Sequence, residues 1–74
     1  VPEVHVEDEM MFIKVNHVME ENHYIEWVLV KTENSIHEFF FKPGDECELQ
    51  IPYTGPALVY AYCNLHGLWL KEVE

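Results

Sequence analysis

Residues 46–51 read Glu46-Cys47-Glu48-Leu49-Gln50-Ile51. Apolar and polar side chains alternate without a break, placing Cys47, Leu49 and Ile51 on one side and Glu46, Glu48 and Gln50 on the other. A period of two marks a strand with one face buried and one face wet. Immediately upstream, Lys42-Pro43-Gly44-Asp45 sets proline and glycine side by side, which is strong turn chemistry. Downstream, the stretch Pro52–Pro56 forms a second turn. A short strand bounded by turns is therefore predicted here, and the same pattern recurs outward in both directions.

Upstream, Tyr24–Thr32 (YIEWVLVKT) predicts a longer strand, with Ile25, Trp27 and Leu29 on one face and Tyr24, Val28 and Val30 on the other. The polar turn Glu33-Asn34-Ser35 links it to a strand at Ile36–Phe41. Further back, Val1–Val6 sets Val4 and Val6 against His5, Glu7–Glu9 is an acidic turn, and Met10–Val15 returns, which predicts a hairpin. Downstream, Ala57–Tyr62 leads straight into Cys63, and Leu68–Val73 makes a last strand. Val18–Asn22 has some helical character but is too short for more than a turn of helix or a loop. About seven short strands at roughly 8–12-residue spacing predict an all-β, antiparallel sandwich or barrel. With 74 residues and no linker, repeat or low-complexity segment, a single domain over residues 1–74 is expected.

Composition narrows the partners. Fourteen acidic residues against four lysines and no arginine give a formal charge of −10. Phosphate backbones and anionic bilayers are bound by clustered lysine and arginine, so neither nucleic acid nor a membrane surface is expected. No stretch approaches the ~18–20 apolar residues of a membrane span. Nor is there a signal-peptide pattern, with its basic start and long apolar run. The two cysteines, Cys47 and Cys63, read as free thiols, or as one disulfide in a secreted protein. Without a secretion signal a reducing cytoplasm is expected, where a cysteine near histidines reads as a ligand. Because the sequence opens at Val1 without a methionine, a trimmed chain or part of something longer is expected.

Five histidines in 74 residues is a high density. His17 and His23 bracket the short segment Val-Met-Glu-Glu-Asn, and His66 follows Cys63 in Cys63-Asn64-Leu65-His66-Gly67. Both pairs fall between predicted strands, where loops can meet at one end of a sandwich. Cys-x-x-His lets a thiolate and an imidazole reach one ion, and Gly67 permits the sharp turn that follows. Either pair alone is a weak signal. Together they predict one metal site made of His17, His23, Cys63 and His66. Three imidazoles and a thiolate suit zinc, iron or copper.

Longer stretches around these residues carry a resemblance. His17-Val18-Met19-Glu20-Glu21-Asn22-His23-Tyr24-Ile25-Glu26-Trp27, Phe41-Lys42-Pro43-Gly44 and Tyr62-Cys63-Asn64-Leu65-His66-Gly67-Leu68-Trp69 occur in that order. They resemble the H-P-M-x-x-x-H-x-I-x-W, F-L-K-P-G and Y-C-N-x-H-G-x-W segments of the superoxide reductases, including neelaredoxin and the iron-binding domain of desulfoferrodoxin. The resemblance implies an immunoglobulin-like β-sandwich holding a ferrous ion with four equatorial histidines and one axial thiolate. His17, His23 and His66 match the second, third and fourth histidines, and Cys63 matches the axial, catalytic thiolate. The implied activity is one-electron reduction of superoxide to hydrogen peroxide, with a rubredoxin-like protein as electron donor. Homo-oligomerisation is left open. Two other readings also stand: a non-catalytic metal-binding or electron-transfer domain, and a structural zinc domain closed by the same four residues.

The sequence departs from the family pattern at its start. The family's first histidine ligand lies in an E-K-H-V-P segment, whose lysine draws in the anion. Val1-Pro2 matches V-P, which would place the Glu-Lys-His before residue 1. In an alternative register Glu3-Val4-His5-Val6 stands against E-K-H-V, supplying His5 but putting Val4 where the lysine belongs. The first register keeps the hairpin before His17, so His5 is expected to be a strand residue. Superoxide reduction impaired by the absent lysine is the resulting expectation, with Lys42 as the nearest substitute. Val18 replaces the family's proline after His17. His37 and Cys47 match no ligand and are expected at the surface and in the core respectively. Glu20 and Glu21 are expected as solvated loop acids. Tyr24, Trp27 and Trp69 are expected to be core aromatics near the loops.

Overall fold

The computed structural model describes residues 2–74. Val1, which opens the expected first strand and supplies half of the V-P match, lies outside the described residues. Among the described residues seven strands form in sequence order: β1 (Glu3–Glu7), β2 (Met10–Lys14), β3 (Ile25–Thr32), β4 (Ile36–Phe40), β5 (Glu48–Pro52), β6 (Ala57–Cys63) and β7 (Gly67–Val73). They make a three-stranded sheet, β1-β2-β5, and a four-stranded sheet, β4-β3-β6-β7. Every pairing is antiparallel. This is the immunoglobulin-like sandwich expected from the sequence.

Alternation builds the core. Met11 and Ile13 of β2 and Ile51 of β5 point inward from one sheet; Val28 and Val30 of β3 and Val59 and Ala61 of β6 meet them from the other. Cys47 is buried with them, and the Cys47/Leu49/Ile51 face predicted from the sequence is the inner one. The hairpin β1–β2 turns through Asp8 and Glu9, both at positive φ (51° and 64°), a left-handed pair whose twist suits a two-residue hairpin turn.

Two expectations need correction. β3 does not keep one alternation throughout: Ile25 is buried with Val28 and Val30, while Trp27 faces out and stacks on Tyr62 at a centroid distance of 5.5 Å. The cause is a bulge. Ile25 stands opposite Cys63 and Trp27 opposite Tyr62, so Glu26 is an extra residue in β3. Trp27 and Tyr24 are accordingly half-buried and outside the core, whereas Trp69 packs against it. Val18–Asn22 takes the loop form of its two expected forms: Glu20 and His23 exchange a reciprocal pair of backbone hydrogen bonds, 2.9 and 3.0 Å, closing a tight bridge over Glu21 and Asn22.

The registers place the site. β3 runs antiparallel to β4 and β6, and β2 antiparallel to β5. The end of β2, the start of β3, the end of β4, the start of β5, the end of β6 and the start of β7 therefore share one end of the sandwich. Three connections meet there: residues 15–24, residues 41–47 and the turn Asn64-Leu65-His66.

Candidate metal centre

Each of the four predicted residues arrives by a different local device. Cys63 is the last residue of β6 and is fully buried at 0% exposure, held inward by the same alternation that buries Ala57, Val59 and Ala61. His66 ends the three-residue turn after it, and Gly67 returns the chain into β7 at φ +88°. No atom stands within 4 Å of where a Cβ on Gly67 would lie, so glycine is needed there for its backbone freedom rather than for space. His23 is fixed by the Glu20–His23 bridge. His17 follows β2 and is half-buried. The loop carrying both histidines is pinned from the neighbouring connection, since the Gly44 N–H donates to the Met19 carbonyl at 2.7 Å. Met19 in turn packs against the core and accepts the Ile25 N–H on its sulfur at 3.4 Å.

His17, His23, Cys63 and His66 come together: each offers a donor atom, and the four atoms all lie within 4.8 Å of one another. Bonds of ~2.0–2.3 Å allow two ligands on opposite sides of an ion to be ~4–4.6 Å apart, so the cluster is about the size of a coordination shell. The imidazoles meet edge to face, with centroids 4.7 Å apart for His17–His23 and 4.6 Å for His23–His66. Trp69 lies against two of them, 5.4 Å from His17 and 6.0 Å from His66.

Two observations fit this group to a metal. The Nε2 atoms of His17 and His23 are buried without a hydrogen-bond partner. Such orphaned polar atoms are costly unless something binds them. The other ring nitrogen of His17, Nδ1, donates to the Val18 carbonyl at 2.6 Å, which leaves Nε2 with its lone pair free. Burial, then the facing rings of His66 and His17, hold the His23 pKa below the usual 6.5, against a weaker opposing pull from Glu20. A neutral ring is the form that binds a metal.

Other candidate residues lie elsewhere. His5 is exposed on β1 and bonds to the Glu7 carboxylate at 2.8 Å, outside the cluster. His37 is exposed on β4, and Glu20 and Glu21 are exposed, all as expected. Cys47 is a buried thiol whose pKa burial raises to about 11, and both cysteines are free. Lys42 is exposed in the turn that pins Met19. Asn64 and Met19 carry no sequence signal of their own beyond the position of an amide directly after the cysteine.

A cysteine and three histidines gathered at the loop end of an immunoglobulin-like sandwich make a small β-domain with a side-chain group that could hold one metal ion. Similarity to known proteins makes the assignment particular. The family profile described as Desulfoferrodoxin matches residues 1–72, and the chain belongs to that family. It is 40% identical over 73 residues to a desulfoferrodoxin homolog from Archaeoglobus fulgidus, covering 93% of this chain and 58% of that protein. The chain thus spans about half to three fifths of the length of the curated relatives it matches, from 47% to 60%. Among solved structures, the superoxide reductase from Treponema pallidum superposes with a TM-score of 0.78 at 32% identity, over 95% of this chain and 61% of that one. The superoxide reductase (1Fe-SOR) from Giardia intestinalis gives 0.80 at 28% identity, over 99% of this chain and 94% of that one.

Proposed function

We propose that His17, His23, Cys63 and His66 hold one iron ion and that the protein is a superoxide reductase, passing one electron to superoxide to give hydrogen peroxide. The buried, unpartnered Nε2 atoms of His17 and His23 inside a shell-sized donor set carry the reading. Family membership supports it, as does the 1Fe-SOR of Giardia intestinalis, of whose chain this one covers 94%. A ferrous ion held there by these four residues would supply the one electron that, with two protons, turns superoxide into hydrogen peroxide.

The chain's own residues have separable tasks. Cys63, buried within the cluster, would supply a thiolate ligand, which would raise electron density at a bound metal. The Val18 carbonyl fixes the tautomer of His17. His66 is exposed, which leaves one side of the site within reach of a small anion from solvent. A formal charge of −10 disfavours that anion, but screening over ~8–10 Å leaves nearby groups such as Lys42 in control.

Residues 1–74 are proposed as one desulfoferrodoxin-type iron-binding domain. A rubredoxin-like donor is proposed to dock at the loop end, where Val18 and Leu65 are exposed. A homo-oligomer is proposed through the outer face of the four-stranded sheet. Phe40 and Trp27 stand opposite each other there, beside Tyr62 and Leu68, and Phe40 is 72% exposed. Sedimentation over a concentration series, with Phe40→Glu as the dissociating variant, tests that contact. Two free thiols favour a reducing, cytoplasmic setting. No helix among the described residues is long and apolar enough to cross a membrane.

Metal analysis of protein purified without chelators, with a visible spectrum after oxidation, tests the central reading. Iron with a thiolate-to-ferric charge-transfer band is expected. The four donors would also close a tetrahedral zinc shell. Zinc at one equivalent, with no exchangeable position and no reaction with superoxide after iron loading, would replace the enzyme by a structural domain.

A further inference from the structure

We infer that Asn64 is a positioning residue that locks the His17–His23 loop onto the Cys63–His66 turn and so sets the geometry of the metal shell. The inference rests on the ligand set proposed above and goes beyond it.

The backbone ladder cannot do this alone. β3 and β6 pair as far as Ile25 and Cys63, and the bulge at Glu26 lies just behind that last pair. Beyond it, residue 64 continues the pairing with mixed chemistry. Its backbone N–H donates to the Tyr24 carbonyl at 3.2 Å. Its Oδ1 accepts the Tyr24 N–H at 3.0 Å. Its Nδ2 donates to the Asn22 carbonyl at 3.0 Å. Tyr24 N–H can only donate and Asn22 C=O can only accept, so the partners fix the orientation of the amide.

Residues 22 and 24 flank His23, and residue 64 follows Cys63. One half-buried side chain therefore holds both neighbours of one ligand against the neighbour of another. The task needs an acceptor and a donor on one short, rigid fork. Alanine offers neither. Aspartate keeps the acceptor for Tyr24 but gives Asn22 no donor, and serine is too short to span both. Groups that orient ligands in this way typically change metal affinity roughly 10–100-fold when removed.

Cobalt(II) titration of the full 74-residue chain tests the inference, because its thiolate-to-cobalt and ligand-field bands report shell geometry without any turnover. Affinity is read by chelator competition, and the metal-free protein is melted in parallel. Wild type is expected to show a thiolate-to-cobalt band. Asn64→Ala is expected to shift the bands and weaken binding roughly 10–100-fold, and Asn64→Asp to fall between. A merely structural amide would lower the metal-free melting temperature but leave the folded protein's spectrum and affinity as in wild type. That result overturns the inference while leaving the ligand set standing. Should Asn64→Ala not fold, an Asn64→Asp protein with wild-type bands and affinity overturns it equally. Absence of a thiolate band in wild type removes the ligand set, and the inference falls with it.

Discussion

Ile25 stands directly opposite Cys63 across the β3–β6 pair, while Trp27, two residues further along the same strand, stands opposite Tyr62. Two steps along β3 thus match one step along β6. Glu26 is the surplus residue, and its carbonyl accepts the Phe41 N–H at 2.9 Å. A one-residue slip reverses which face a side chain takes. The bulge lets Ile25 and Val28 both face inward while Cys63 keeps the inward phase of β6.

Deleting Glu26 should therefore remove the bulge and leave Ile25 opposite Cys63 in unbroken alternation, still facing inward. What is lost is the Glu26 carbonyl that accepts the Phe41 N–H, a hydrogen bond worth about 0.5–1.5 kcal/mol. The variant is expected to stay folded by circular dichroism, with its melting temperature lowered by no more than about 10 °C. A largely unfolded deletion variant would show that Ile25 needs the bulge to reach the core.

Metal and stability should be linked through Cys63. An ion bound only by the folded chain at a hundred times its dissociation constant adds about 2.7 kcal/mol. For a domain of this size that is roughly 10–20 °C in melting temperature. Cys63→Ser should lose most of this increment, while wild type should lose it on adding chelator. Coincident melting curves with and without chelator would count against metal binding at this site.

Cys47 should make the protein sensitive to alkali. Burial raises its thiol from the usual 9.0 to about 11. Between those values the unfolded chain has released the proton and the folded chain still holds it, so rising pH favours unfolding. Stability present below pH 9 should fall by about 2 kcal/mol as pH climbs toward 11. Cys47→Ala should be less stable at neutral pH, because a buried side chain is truncated, yet show a flatter alkaline limb. The check is urea unfolding at several pH values from 8 to 11.

Reaction with superoxide should be slow for these 74 residues even with iron loaded. A formal charge of −10 opposes the anion, and Lys42, exposed in a turn at the loop end, is the lysine expected to steer it. Pulse radiolysis of the ferrous protein measures the rate directly. Lys42→Ala should lower it several-fold at low ionic strength and less in high salt. A rate near the diffusion limit that ignores Lys42→Ala would show that the iron–thiolate unit needs no lysine from this turn.

The β1–β2 turn offers a stability gain. Glu9 takes φ 64°, where a side chain costs about 1 kcal/mol that glycine avoids. Glu9→Gly should raise the melting temperature by about 4–8 °C, minus whatever glycine's extra freedom in the unfolded chain takes back. A drop on substitution would mean that Glu9 makes a compensating contact.

The strands and the four clustered residues were legible in the sequence because both rest on short-range signals. Alternation in segments such as Glu46–Ile51 declares a buried face, turn residues declare the breaks, and His-x5-His with Cys-x-x-His declares donors on loops. The bulge at Glu26 was not legible, since Ile25, Trp27 and Leu29 fit an unbroken period and only the register against β6 selects between Ile25 and Trp27 for the core. The same holds for Asn64. Nothing local distinguishes an amide that bridges Asn22 and Tyr24 from any turn asparagine, because its partners lie 42 and 40 residues away and meet it only when the sheets close. Which side chains could hold a metal was written in residue type and spacing. How they are held was decided by pairing between distant strands, where hydrogen-bond geometry acts and sequence distance does not.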